Sequence, residues 1–299
     1  MKVVTYVRQR EERAGILVDD AVYDVQASAE FLGTGPMQPG LLGILDAGLS
    51  GDLRATHAGL IEARRARTGL PLGCWADVKE VRLVAPLPRP PKLICLGLNY
   101  RDHAEEQGAR LPEVPLIFAK APTAVVGPGQ PIVIPPDCEN VDYEAELAVV
   151  VARRLKRATP EEAQGGIFGY TCLNDVSERA IQKERVWFRA KSIDTFAPLG
   201  PWIVTADDLA NVLDLKITTR VNSRVMQSGS TSNLIFKPVD LVVFISRYIT
   251  LEPGDIISTG TPSGVGVFRK PPVFLKHGDV VEITVEGIGT LTNPVVKEA

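Results

Sequence analysis

The chain has 299 residues, 45% of them hydrophobic and 23% charged, a balance that allows a buried core and excludes the apolar-poor, charge-rich make-up of a disordered protein. Lys and Arg number 33 against 36 Asp and Glu, for a net charge of −3. No basic surplus therefore marks a binder of nucleic acid or anionic lipid, and a small molecule is the expected partner. No apolar run approaches the roughly 18–20 residues of a membrane helix. The opening MKVVTYVRQREERAG lacks the apolar stretch of a secretory signal, so the expectation is a cytoplasmic protein with no membrane partner.

In chain order, residues 1–75 read as a small α+β N-terminal module. Strands are expected over 3–6, 14–18 and 21–25, with Asp19-Asp20 as a turn, and helical spacing follows over 41–47 and 53–67. Residues 76–91 end in PLPRPP and read as a Pro-rich linker. From 92 to 299 short apolar runs alternate with Gly/Pro turns, predicting strands over 93–98, 132–134, 147–151, 215–221, 255–259 and 280–285. Two helices are expected there, over 175–187 and over 239–249, the second stopped by Glu252-Pro253-Gly254. The fold class is thus β-dominated α+β. Cys74, Cys95, Cys138 and Cys172 show no C-x-x-C spacing and read as isolated, reduced core thiols.

Four segments carry candidate chemistry. In NVDYEAELAVVV, Glu144 and Glu146 are two apart and share a strand face that continues as Ala148 and Val150. Paired carboxylates at the mouth of a covered region would repel, and a divalent cation relieves this; the bland alternative is an acidic, solvated edge. In GYTCLNDVSERAIQ, a helix opened by Asp175 would carry Arg179 and Gln182 in one stripe, although an N-cap with its i+4 ion pair gives the same pattern. Lys191, in a Pro-flanked stretch beyond, would ordinarily be a solvated charge.

In ICLGLNYRDHAEEQG, His103 has Glu106 at i+3, the spacing at which a carboxylate orients an imidazole base. The stretch from 103 to 115, charged and containing Gly108, suits a lid. Finally, ISTGTPSGVG places Gly260, Thr261 and Ser263 after a strand, as a cradle for a carboxylate or as an ordinary Gly-rich turn.

Taken in order, NYRDHAEEQG, VDYEAELAVVV, GYTCLNDVSERAIQ, AKSIDTFAPLGPW and STGTPSGVG closely resemble the fumarylacetoacetate hydrolase family over about residues 92–294. The N-terminal module is similar to that of longer bacterial-type members. The resemblance implies a rolled mixed β-sheet, a magnesium or manganese ion and a homodimer. It implies Glu144, Glu146 and Asp175 as metal ligands, His103 with Glu106 as the water-activating pair, Lys191 as a catalytic cation, and Arg179, Gln182, Gly260 and Thr261 at the substrate. One departure stands out: the namesake hydrolases add a further carboxylate ligand before the base, and residues 96–100 supply none.

The expected function is a metal-dependent enzyme that cleaves the C–C bond of a 2,4-dioxo acid, an acylpyruvate or fumarylpyruvate, through a pyruvate enolate. Oxaloacetate decarboxylation or tautomerisation and 2-hydroxyhepta-2,4-diene-1,7-dioate isomerisation pass through the same charge and are the alternatives. A non-catalytic dicarboxylate-binding relative is the alternative of another class, and it should have lost a metal carboxylate or the His103–Glu106 pair.

Overall fold

The computed structural model describes residues 1–66, 69–71, 73–209 and 211–298. Val3, Val4, Thr5 and Tyr6 are all buried because the strand they form, Lys2–Arg8, has partners on both sides. Along its whole length it pairs antiparallel with Glu11–Val18. Its other side pairs with Arg82–Val84 and, at Lys2↔Val204 and Val3↔Ile203, with Ala197–Thr205. Through that last contact the N-terminal strands join a 12-stranded sheet. Its main path runs Trp75–Asp77, Ala21–Asp24, Glu11–Val18, Lys2–Arg8, Ala197–Thr205, Ile167–Asn174, Ala145–Val151, Ile256–Ser258, Leu93–Gly97, Leu116–Lys120.

A five-stranded sheet, Arg224–Ser230, Lys216–Val221, Val280–Val285, Gly289–Lys297 and Ile132–Ile134, packs against it. Both sheets are mixed: Ile256–Ser258 runs parallel to Leu93–Gly97, and Gly289–Lys297 parallel to Ile132–Ile134. The β-dominated α+β class expected from the sequence is the one observed.

The strand Ala145–Val151 divides the interior. Every residue in it is buried, as a continuous apolar run covered on both faces requires. Leu147, Val149 and Val151 enter one core with Ile217, Ile283 and Leu291 of the second sheet and Leu241 and Ile245 of the helix Pro238–Tyr248. Ala148 and Val150 point the other way, into a core shared with Ile16, Ile44 and Leu53 of the N-terminal residues. Because side chains alternate along a strand, Glu146 lies on the face of Ala148 and Val150. That face is the one capped by the helices Leu41–Asp46 and Ser50–Arg65.

The expected helix over 239–249 forms as Pro238–Tyr248, with proline at its first position and Asp240 accepting the Lys237 N–H. That over 53–67 forms as Ser50–Arg65, and its expected last residue, Arg67, lies outside the described residues. The single helix expected over 175–187 does not form. Ser177–Glu178 instead pair antiparallel with Val141–Asp142, after which come two short helices, Arg179–Lys183 and Trp187–Lys191. The cap is Glu178, whose side chain accepts the Ala180 N–H, while Asp175 is drawn into ion pairs with two lysines. Tertiary charge pairing has overridden a local capping pattern.

The four cysteines are buried and free. Within 76–91, Arg82–Val84 is part of the sheet and the Pro86 carbonyl accepts the Thr5 hydroxyl at 2.7 Å. The division into a module over 1–75, a linker over 76–91 and a catalytic part over 92–299 stays a proposal about chain organisation.

Ile44 is fully buried in the core that backs the Glu146 face. Ile44→Ala is expected to lower the stability to urea by about 2–4 kcal/mol; an unfolding midpoint equal to that of the parent would show that the N-terminal helices do not brace this core.

Candidate active site

The strand Leu93–Gly97 ends at Leu98, whose φ of 53° is left-handed, a conformation costing a non-glycine residue about 1–2 kcal/mol. Asn99 holds the turn. Its amide nitrogen donates to the carbonyls of Phe236 (3.0 Å) and Thr259 (2.8 Å), and its oxygen accepts the Phe236 N–H at 2.8 Å. The helix Arg101–Glu106 starts from this anchor and presents His103, buried, with Glu106 one turn on. His103 Nδ1 lies 2.9 Å from Glu106 Oε2, and Nε2 lies 2.7 Å from the Gln107 amide nitrogen. An amide NH₂ can only donate, so Nε2 carries the lone pair and Nδ1 the proton given to Glu106. That is the tautomer of a general base.

The carboxylates converge through strand register. Ala145–Val151 pairs antiparallel with Ile167–Asn174, Ala145 opposite Asn174, and the Asp175 N–H donates to the Glu144 carbonyl at 2.9 Å. Glu144, Glu146 and Asp175 are consequently buried together, with one oxygen of each within 4.8 Å of the others.

Their environments differ. Glu144 meets Arg179 at 2.7 Å and Lys191 at 2.8 Å; Asp175 meets Lys191 at 2.6 Å and Lys120 at 2.5 Å. Glu146 has no cation partner among the described residues: its Oε2 accepts the Ser258 hydroxyl and, at 2.9 Å, the Gly260 N–H. Burial disfavours ionised Glu144, but Lys191 and Arg179 outweigh it and hold this carboxyl well below its usual range. Burial also opposes the Lys191 charge, and Asp175 and Glu144 more than restore it. At Glu146, burial and then the charges of Asp175 and Glu144 act together and push its carboxyl well above the usual range.

Arg179 also pairs with Asp142 at 2.8 Å, so four buried carboxylates face three cations. The count balances while Glu146 holds a proton; a divalent cation among the three convergent oxygens would take that proton's place, and an all-oxygen donor set suits a hard ion.

These groups share a cavity of about 330 Å³. His103, Gln107, Glu144, Glu146, Arg179, Gln182, Lys191 and Thr261 give it polar walls; Leu98, Phe118, Trp187 and Phe268 close it with apolar ones. Phe118 meets Trp187 edge-on, with centroids 5.2 Å apart, and lies 5.1 Å from the Lys191 ammonium. Gly97 makes room for this, since a Cβ there would fall 2.7 Å from the Trp187 ring. Arg179 gives Nη1 to Gln182 at 2.8 Å, whereas its Nη2 is buried with no hydrogen-bond partner among the described residues.

Of the residues singled out from the sequence, His103, Glu144, Glu146, Arg179, Gln182, Lys191 and Thr261 line the cavity, and Glu106, Asp175 and Gly260 bond to residues that do, whereas Ser263 bonds to Asp102 outside the wall. Glu106 and Asp175 act from behind His103 and Glu144. Gly260 is not at the wall, because its N–H is taken up by Glu146. Lys191 closes a helix and is buried, unlike the solvated charge its Pro-flanked context suggests.

Sequence reading missed three residues. Gln107, at i+4 from His103, had a usable signal in its spacing. Lys120, fully buried against Asp175, and Gln227, which ties the Ala145 N–H to the Thr261 hydroxyl, had none, because their partners are 55, 82 and 34 residues away.

Residues 92–296 match the family described as Fumarylacetoacetate (FAA) hydrolase C-terminal. The chain is 48% identical to oxaloacetate tautomerase FAHD2A, mitochondrial, of Bos taurus over 220 residues, 73% of this chain and 70% of the relative. It is 39% identical to oxaloacetate tautomerase YisK of Bacillus subtilis over 302 residues, 99% of this chain and 100% of the relative. Among solved structures, maleylpyruvate hydrolase from Sphingobium sp. SYK-6, in complex with manganese(II) and pyruvate, is 28% identical. It superposes with a TM-score of 0.77, covering 100% of both chains.

Two measurements test the metal site. Glu146→Gln is expected to weaken manganese binding by more than the roughly 10–100-fold typical of an outer-shell change, read by calorimetry on the folded variant. Burial and its neighbours push the Glu146 carboxyl toward its protonated form, so a cation binding there competes with a proton. Affinity should therefore rise with pH as Glu146 ionises, with about one proton released per ion; titrations in buffers of different ionisation heat that show no release would refute it.

Proposed function

Because the chain belongs to the fumarylacetoacetate hydrolase family, we propose that it acts on a small 2-oxo acid through the enolate, and that its reaction is the keto–enol interconversion of oxaloacetate. The observation that carries this reading is a carboxylate-paired imidazole and a buried ammonium facing one cavity of about 330 Å³. Ligand pockets span roughly 300–1,000 Å³, so the space suits a short diacid. The two relatives named as oxaloacetate tautomerases, one matched over its whole length, support the same substrate.

Glu144, Glu146 and Asp175 would hold magnesium or manganese, which when bound supplies a Lewis acid for the substrate's 2-oxo group. Arg179, Gln182 and Thr261 line the cavity and would receive a substrate carboxylate. His103 Nε2, released from Gln107, takes a proton from C3, while Glu106 steadies the imidazolium that results. Lys191 offsets the negative charge that gathers on the 2-oxo oxygen as the C3–H bond breaks. Transfer of the proton now on His103 to that oxygen, directly or through a water molecule, gives the enol and restores the neutral imidazole; the reverse sequence returns the proton to C3 and restores the ketone.

A second reading is the hydrolysis of a 2,4-dioxo acid, the activity expected from the sequence, which the likeness to maleylpyruvate hydrolase favours. There His103 would deprotonate water for attack on the distal carbonyl, and the pyruvate enolate would leave against Lys191. Isomerisation of an unsaturated 2-hydroxy diacid and decarboxylation of oxaloacetate would draw on the same residues. A non-catalytic relative is disfavoured because the carboxylates and the His103–Glu106 pair are all retained and converge. A homodimer in the cytoplasm forms part of the same proposal.

The test follows the ultraviolet absorbance of enol-oxaloacetate and, in parallel, acetylpyruvate cleavage, with magnesium or manganese and after chelation. His103→Ala should slow tautomerisation by roughly 10²–10⁴, and chelation should remove it. Wild-type protein that leaves the enol decay at its spontaneous rate would reject the reading; acetylpyruvate cleaved faster than oxaloacetate is tautomerised would favour the second one.

A further inference from the structure

The loop over 259–264 gives backbone N–H groups to carboxylates from both halves of the site. Gly260 serves Glu146 at 2.9 Å. Gly264 serves Glu106 Oε1 at 2.8 Å, leaving Oε2 for the imidazole. Between them Ser263 donates its N–H (3.3 Å) and its hydroxyl (3.1 Å) to Oδ2 of Asp102. The other Asp102 oxygen accepts the backbone N–H of His103 at 3.0 Å.

Asp102 thus stands between the loop and the residue that carries the base, without lining the cavity. The loop itself has little freedom to shift. Gly264 has a φ of +101°, and a Cβ there would fall 2.5 Å from the Met226 carbonyl; Gln227 further ties Thr261 and the Pro262 carbonyl at 2.8 Å each.

The helix that carries His103 does need holding. Arg101–Glu106 has six residues, too few to persist on backbone hydrogen bonds alone, and the chain after it is mostly exposed over 107–114 with no helix or strand. Asn99 anchors its start, and Asp102 and Glu106 are its tethers to the 259–264 loop.

We propose that Asp102 is a positioning residue: by clasping Ser263 it fixes the His103 helix on the same loop that orients Glu146, and so sets the distance between the base and the carboxylate cluster. This rests on the reading of His103 as the base. A displacement of about 1 Å at a reacting group can cost on the order of 10²-fold in rate, so the clasp matters to turnover even though Asp102 touches no substrate.

The experiment uses the full chain loaded with manganese and the variants Asp102→Ala, Asp102→Asn and Ser263→Ala. It reads kcat and KM for oxaloacetate, manganese affinity by calorimetry, and hydrogen exchange over 101–106. Asp102→Ala should lose roughly 10–100-fold in kcat with manganese affinity unchanged and exchange over 101–106 accelerated. Asp102→Asn keeps a side-chain oxygen for Ser263 and should regain most of the rate. Ser263→Ala keeps its N–H and should lose less than Asp102→Ala. The proposal is overturned if Asp102→Ala retains the parental kcat, if exchange over 101–106 is unchanged, or if manganese affinity falls in step with kcat. Should His103→Ala prove fully active, the base assignment fails by itself, while faster exchange at unchanged metal affinity would still show the clasp.

Discussion

The convergence of Glu144, Glu146 and Asp175 in a buried space is the constraint around which the rest of this structure is arranged. Like charges taken out of water repel strongly, and removing a partner from a buried ion pair typically costs about 3–5 kcal/mol. The fold answers with Arg179, Lys191 and Lys120, each buried and each bonded to Glu144 or Asp175. Glu146 is left to neutral donors. This asymmetry balances the cluster only while Glu146 holds a proton, a place that a divalent ion could take.

Placing those cations explains features that have no local cause. Asp175 would cap a helix if only its neighbours mattered; held by Lys120 and Lys191, it sits at the end of a strand instead, and the helix begins later at Glu178. Lys191 is brought in by a helix of only five residues, Trp187–Lys191, whose Trp187 ring and Lys191 ammonium both meet Phe118. The glycine at 97 is the space that this packing needs. On the opposite side, the N-terminal helices cover the strand face beyond Glu146, where Ala148 and Val150 enter a closed core. The N-terminal residues contribute to the site in this way, and among the described residues none of their side chains lines the cavity.

The base half of the site is built differently. His103 rides on a short helix whose position depends on side-chain and loop hydrogen bonds rather than on a core of its own. The metal half is set in the central strands, and a single Gly-rich loop reaches both. A buried electrostatic centre with an imidazole tethered beside it suits a reaction in which charge develops at a fixed place while a proton has to move.

Much of this is legible in the sequence because its causes are short-ranged. Alternation along NVDYEAELAVVV puts Glu144 and Glu146 on one face, the i+3 spacing pairs His103 with Glu106, and apolar runs between Gly/Pro turns predict a β-dominated chain. The ordered motifs point to the family that the comparisons then show.

The remainder follows from contacts between residues far apart in the chain, which no local pattern encodes. Lys120 meets Asp175 from 55 positions away, Gln227 joins Ala145 to Thr261, and the Gly260 N–H expected at the substrate is spent on Glu146. Residue types and local spacing point to Glu144, Glu146, Asp175 and His103 as candidates, though not to Lys120. Strand register and burial decide which of them face one another, because hydrogen-bond partners and the lost hydration of buried charges exist only once the chain has folded.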